Sequence, residues 1–77
     1  MTSVTVNINS IDKVKRFVSA ITSFDNDFDL VCDRYVIDAK SIMGIFSLDL
    51  SKPIDLNIHA ESCVDDILAI LSPYIIA

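Results

Sequence analysis

The sequence has few of the residues that build metal and phosphate sites. Its 77 residues include one glycine, one histidine, two cysteines and no tryptophan. One glycine excludes the glycine-rich loops that cradle phosphate groups, because those loops need several residues without a Cβ atom. His59, Glu61 and Cys63 lie close together in the sequence, but structural zinc sites take four ligands at recognisable spacings. We therefore predict no metal and no cofactor.

Basic residues are also scarce. Six Lys and Arg stand against eleven Asp and Glu, which gives a net charge of −5, whereas affinity for nucleic acid comes mainly from basic side chains on phosphates. No apolar run reaches the roughly 18 residues of a membrane span, and the first residues do not resemble an export signal. We expect a cytoplasmic protein that binds neither nucleic acid nor membrane, in which Cys32 and Cys63 are free, partly buried thiols.

The length and the hydrophobic content of 52% predict one folded domain over residues 1–77. A domain of this size buries only about 60% of the surface of its unfolded chain, so a deep, dry pocket is hard to sustain. The acidic residues are spread over turns and helix starts, and no cleft is predicted around any of them. We therefore predict that the protein is not an enzyme and acts through its surface.

Hydrophobic periodicity predicts seven elements in the order β-α-β-β-α-β-α. Alternating apolar residues indicate strands, and apolar residues every three or four positions indicate helices. The strands are expected at 4–9, 27–32, 35–37 and 54–60, with a tight turn at Asp33-Arg34, and the helices at 11–21, 41–48 and 64–71. This order predicts an α+β fold with three helices on one face of a four-stranded antiparallel sheet. Thr5, Asn7, Asn57 and His59 are expected on the other face.

Side-chain roles follow from the same pattern. Ser10 or Asn9 is expected to cap the first helix and Ser41 the second, and Ser62 with Asp65 fits a capping box for the third. The core stripe of the first helix is predicted to be Ile11, Val14, Phe17, Val18 and Ile21. The apolar tail at residues 74–76 is expected either to fold back on the core or to be covered by a partner.

The second helix is too short to bury all of its apolar residues against one sheet. Some of Ile42, Met43 and Phe46 should therefore remain exposed. Exposed apolar groups of this kind mark protein contact sites, and we predict these three residues as partner contacts.

The segment Lys40-Ser41-Ile42-Met43-Gly44, followed by residues 45–48, resembles the regulatory-serine segment of HPr. HPr is the histidine phosphocarrier of the bacterial sugar phosphotransferase system. The resemblance runs without a gap from about residue 9 to residue 71. It implies an open-faced β-sandwich, which has the element order that periodicity predicts.

One feature of the HPr family is missing. In HPr an active histidine followed by Ala, Arg and Pro opens the first helix, and here Ser10, Ile11, Asp12 and Lys13 take those positions. A serine phosphoester lacks the transfer potential of a phosphohistidine, and Asp12 would repel a phosphoryl group where the family has a cation. The resemblance thus implies a degenerate member with Ser10 as a helix cap.

The resemblance assigns Ser41 to the regulatory serine. In HPr this serine is phosphorylated by HPr kinase/phosphorylase, and the product binds a repressor of carbon catabolite control; catabolite-repression HPr is a relative that works without the active histidine. The leading hypothesis is a non-catalytic regulatory protein that binds the kinase, such a repressor or phosphotransferase components, with Ser41 as its switch. Ser41 as a plain helix cap remains an equal alternative. Two others are a phosphocarrier with its acceptor moved to His59, and a structural or oligomerising module that uses the tail.

Overall fold

The structure, a computed structural model, describes residues 2–32 and 34–76. It has the predicted order of elements: β1 (Thr2–Val6), α1 (Ile11–Thr22), β2 (Asp27–Cys32), β3 (Tyr35–Asp38), α2 (Ile42–Phe46), β4 (Ile54–His59) and α3 (Val64–Leu71). The predicted α+β fold is confirmed. β2 and β3 form the predicted hairpin, and Asp33 of its turn lies outside the described residues.

The four strands form one antiparallel sheet in the order β1-β4-β2-β3. Leu56 at the middle of β4 is opposite Val4 on one side and Leu30 on the other. Because side chains alternate along a strand, this row faces one side of the sheet, where the helices cover it. Phe17 of α1 and Ile67 of α3 are fully buried there. Burying a side chain of this kind contributes about 1.5–3 kcal/mol, so this layer supplies much of the stability.

The other face of the sheet is open and polar, as predicted for Thr5, Asn57 and His59. Hydrogen bonds join neighbouring strands across it: Ser3 Oγ donates to Asn57 Oδ1 at 2.7 Å, and Thr5 Oγ1 donates to Asp55 Oδ1 at 3.2 Å. β1 begins and ends earlier than the predicted 4–9, so Asn7 follows the strand instead of lying within it.

The tail folds back on the domain. Asn7 N–H donates to the Tyr74 carbonyl and Ile76 N–H donates to the Thr5 carbonyl, both at 2.8 Å, so Ile75 bridges Val6 like a short extra strand. Of the two predicted alternatives for the tail, the one in which it folds back on its own domain is therefore confirmed. Its pairing covers the second half of the outer edge of β1.

Two predictions about the helices are wrong. Ile11 is exposed and does not join the buried stripe Val14, Phe17 and Ile21, because side chains of a helix point towards its N-terminus and Ile11 is the first residue. Ser62 does not cap α3. The N-cap is Cys63, which has a left-handed backbone (φ 55°) and forms no side-chain capping hydrogen bond. Asp65 and Asp66 supply negative charge to the first turn instead.

The longest helix in the described part of the chain is α1, with 12 residues. None of the helices at residues 2–32 and 34–76 is long and apolar enough to span a membrane.

Candidate functional site

Ser41 is exposed at the beginning of α2. Its backbone is extended (φ −91°, ψ 98°), and its Oγ accepts a hydrogen bond from Gly44 N–H at 3.3 Å. The carbonyl of Ser41 accepts Ile45 N–H at 3.0 Å, which closes the first turn. Ser41 is thus the predicted helix cap.

α2 is anchored by one residue and exposes its neighbours. Ile45 is fully buried, whereas Met43 is 79% exposed and Phe46 is 40% exposed. Ile42 is half-buried and packs against the core. We call Ile42, Met43 and Phe46 the α2 patch. Its exposure agrees with the sequence argument, and its role in partner binding stays a prediction.

Gly44 leaves space beside the Ser41 hydroxyl. A Cβ atom at Gly44 would lie 3.2 Å from Ser41 Oγ and 3.5 Å from Ile37 Cδ1. The first distance is tighter than an ordinary contact, so a methyl group would press on the hydroxyl. The backbone of Gly44 does not have a positive φ. Its lack of a side chain therefore matters here for space and not for backbone freedom.

The neighbouring cation is held elsewhere. Lys40 Nζ donates to the Phe24 carbonyl at 2.7 Å and lies 5.6 Å from the centre of the Phe28 ring. Lys40 N–H donates to Asp38 Oδ1 at 2.9 Å, which fixes the turn before Ser41. Within residues 2–32 and 34–76, no basic side chain donates to Ser41.

The turn after α2 holds a carboxylate with two donors. Ser51 Oγ donates to Asp49 Oδ1 at 2.6 Å, and Ser51 N–H donates to the same atom at 3.1 Å. These two hydrogen bonds stabilise the charged form and lower the pKa of Asp49 below 3.8.

Ser10 lies at the beginning of α1 and caps it. Its Oγ accepts Lys13 N–H at 3.1 Å from an extended backbone (φ −144°, ψ 158°). Asp12 is the acidic residue of the first turn. The position that the resemblance gives to the active histidine therefore holds a capping hydroxyl next to a carboxylate.

His59 forms a contact that sequence reasoning missed. Its Nε2 lies 2.6 Å from Asp29 Oδ2 on the open face of the sheet, and both side chains are partly exposed. They border a shallow depression of about 370 Å³, which is also lined by Asp27, Phe28 and Asp38. Alternation along β2 and β4 could have placed both residues on this face, but the register that makes them neighbours could not be read from the sequence.

The three residues considered for zinc do not come together. Among residues 2–32 and 34–76, no three His, Cys, Asp or Glu side chains form a group that could hold a metal ion. Cys32 is half-buried and Cys63 is exposed, and both are free thiols. The prediction that both are partly buried is thus wrong for Cys63, whose Sγ lies 3.9 Å from Asn26 Oδ1.

Similarity to known structures identifies the fold that this chain shares. No protein-family model matches the chain, and no curated protein is significantly similar to it in sequence. Among solved structures, it is similar to the crystal structure of HPr-C-His from Thermoanaerobacter tengcongensis. The TM-score is 0.77 with 25% sequence identity, over 95% of this chain and 89% of that chain. The chain therefore has the fold of the HPr family of phosphocarrier proteins, with Ser10 as the N-cap of its first helix.

Proposed function

We propose that this chain is a non-catalytic regulatory protein of the HPr family that acts in the bacterial cytoplasm by binding other proteins. Its contact site is the α2 patch, and its switch is phosphorylation of Ser41. The observation that carries the proposal is the exposed Ser41 at the start of α2, two residues before Met43, of which 79% is exposed. The partners we expect are HPr kinase/phosphorylase, a catabolite-control repressor or phosphotransferase components.

The first helix supports a role without phosphate transfer. Ser10 uses its oxygen to accept Lys13 N–H, and its phosphoester would be too stable to pass the group on. Asp12 brings a negative charge to the first turn and would oppose a second one on Ser10.

Phosphorylation of Ser41 would change the chemistry of an apolar surface. A phosphate adds a charge of about −1.5 to −2 and three strong acceptor oxygens beside Met43. The same surface would then offer an anion to a basic partner and resist a purely apolar one. Gly44 leaves room for the enlarged group, because a side chain there would touch the Ser41 oxygen.

The test is incubation with an HPr kinase/phosphorylase and ATP, followed by mass spectrometry of the intact protein and its peptides. We expect one phosphate per chain, located on Ser41 and lost in Ser41→Ala. Ser10→Ala is the matched control, because Ser10 is also an exposed helix cap, and it should take up phosphate normally. An unmodified protein, or a phosphate that persists in Ser41→Ala, would remove the switch from the proposal.

A relocated acceptor at His59 is the second candidate. It is favoured by the 2.6 Å contact with Asp29, since a carboxylate can orient an imidazole ring. It is disfavoured by Asp27 and Asp38 around the same depression, which would repel a phosphoryl group. Incubation with phosphoenolpyruvate and Enzyme I tests it. An acid-labile phosphate that disappears in His59→Ala would favour this candidate over the regulatory one.

The third candidate, an oligomerising module that uses the tail, has less support. The Tyr74 carbonyl and the Ile76 N–H already form hydrogen bonds with Asn7 and Thr5 of their own chain, so these groups are not available to a second molecule.

A further inference from the structure

The two edges of the sheet differ in whether another segment pairs with them. The tail pairs with the outer edge of β1 at Thr5 and with Asn7, the residue after β1. β3 is the opposite edge strand, and none of the described strands pairs with its outer side. Natural proteins protect such an edge with charged side chains, proline, a bulge or a very short strand. β3 is short, at four residues, but Tyr35, Val36 and Ile37 carry no charge and no proline.

The backbone groups of β3 that face outwards can be identified. Ala39 N–H donates to the Phe28 carbonyl of β2 at 2.8 Å, so this odd-numbered residue points its backbone groups at β2. Backbone groups alternate in direction along an antiparallel strand. The N–H and C=O groups of Val36 therefore point away from the sheet, as does the N–H of Asp38.

The outer edge of β3 is complementary to itself. An antiparallel partner in register about Val36 brings Val36 opposite Val36 of the second copy. The same register sets Arg34, one residue before β3, opposite Asp38 at both ends of the contact. It also sets Tyr35 opposite Ile37 on the helix-bearing side. Opposite charges and apolar pairs across strands are both stabilising.

The exposure of these residues supports the same pairing. Val36 is 64% exposed and Tyr35 is 68% exposed, although both are apolar or aromatic. Val31 is opposite Val36 within the hairpin, so a second copy would create a continuous row of four valines across the open face.

We infer that two copies of this chain associate through their β3 edges, in antiparallel register about Val36, to form a two-fold symmetric dimer with a continuous sheet. The contact is short, with four strand residues from each copy, and short interfaces are typical of transient association. The dimer should therefore be reversible and depend on concentration. The inference does not depend on phosphorylation of Ser41.

Sedimentation velocity of the full chain from about 10 μM to 1 mM, concentrations that match dissociation constants of weak complexes, tests the dimer. We expect the mass to rise from 8.5 kDa towards twice that value. Val36→Lys sets two ammonium groups against each other at the centre and should weaken association by about tenfold or more. Ile76→Lys, at an exposed apolar residue of the tail, is the matched control and should change nothing.

Charge exchange tests the register. Arg34→Asp sets carboxylates opposite each other at both ends, and Asp38→Arg sets two guanidinium groups there, so each variant alone should associate more weakly. An equimolar mixture of the two should recover association as a heterodimer. Thermal denaturation of each variant checks folding, because Asp38 also accepts Lys40 N–H.

Hydrogen exchange gives a readout that needs no variant. The Val36 amide should exchange quickly at low concentration and become protected as the mass rises. A chain that stays at 8.5 kDa at 1 mM would overturn the inference, as would a dimer that Val36→Lys leaves intact or a Val36 amide that stays unprotected in the dimer.

Discussion

The ring of Tyr74 meets the ring of Phe17 edge to face, with centroids 5.8 Å apart and planes at 86°. This contact joins the tail to the fully buried centre of α1. Edge-to-face pairs contribute about 0.5–1.5 kcal/mol beyond the area they bury. The tail is thus held by side-chain packing as well as by its backbone bonds to β1.

We predict that Tyr74→Ala lowers the free energy of unfolding by about 1–3 kcal/mol, from lost apolar burial and the lost ring contact. Urea denaturation measures this. Ile76→Ala is the control, because 55% of that side chain is exposed and its backbone bond to Thr5 is kept, so its effect should stay below about 0.5 kcal/mol. Equal losses in the two variants would contradict a specific role for the ring.

Ser10 should stabilise α1 as a cap. Ser10→Ala leaves Lys13 N–H without its 3.1 Å acceptor and should cost about 1 kcal/mol. Ser19→Ala is the matched control, because Ser19 is exposed inside the same helix, where alanine is the better helix former. Denaturation curves in which Ser19→Ala is the more destabilising change would contradict the capping role.

Gly44 and Ser41 should be coupled. In the wild-type protein, Gly44→Ala combines a gain in helix propensity of about 0.5–1 kcal/mol with a crowded Ser41 Oγ at 3.2 Å. In a Ser41→Ala background the oxygen is absent, so Gly44→Ala should raise the free energy of unfolding by the whole helix-propensity gain. A double-mutant cycle of unfolding free energies measures the difference. Additive effects would show that the hydroxyl does not resist a methyl group.

Met43 should matter for binding and not for folding. Met43→Ala removes a largely exposed side chain, so stability should change by less than about 0.5 kcal/mol. Affinity for HPr kinase/phosphorylase should fall about fivefold or more if Met43 is a central contact. Ile70→Ala, on an exposed part of α3, should leave this affinity unchanged. Calorimetric titration compares the two variants, and equal affinities would contradict the assignment of the α2 patch.

The pKa of Asp49 should depend on Ser51. NMR titration of the Asp49 carboxyl should give a midpoint below 3.8, and Ser51→Ala should move it up towards 3.8, because the hydroxyl donor is lost. A folded-state pKa below the unfolded value stabilises the protein above that unfolded value, and the contribution disappears as the pH falls through the folded pKa. The effect on stability should be small, since the carboxylate is exposed. An unchanged midpoint in Ser51→Ala would show that the backbone bond alone holds the charge.

Local patterns in the sequence predicted the helices and strands well. They could not predict which residues far apart in the sequence become neighbours. Alternation in β4 put Leu56 and Ile58 inside and His59 outside, because burial depends on the period of the strand itself. The His59 contact with Asp29 depends on the register of two strands 30 residues apart, which no local pattern carries.

In the candidate site, too, local features were predictable from the sequence and contacts between distant segments were not. The exposure of Met43 followed from a short helix with too many apolar residues. The hydrogen bond from the Lys40 side chain to the Phe24 carbonyl could not be predicted from the sequence. It depends on how the loop before β2 lies against the turn before α2. The sequence did not predict Cys63 as the N-cap of α3, because its left-handed backbone is a conformation that cysteine seldom adopts.

The bonds from the tail to Thr5 and Asn7 also limit how far a sheet of these chains can grow. Strand addition at both edges would link molecules into an open fibre, whereas a two-fold contact at one edge closes after two copies. With the second half of the β1 edge covered by its own tail, the proposed β3 pairing leaves only the first half of that edge, residues 2–4, open to a third chain. A protein that associates through one edge of its sheet and shortens the other edge in this way favours a dimer over a polymer.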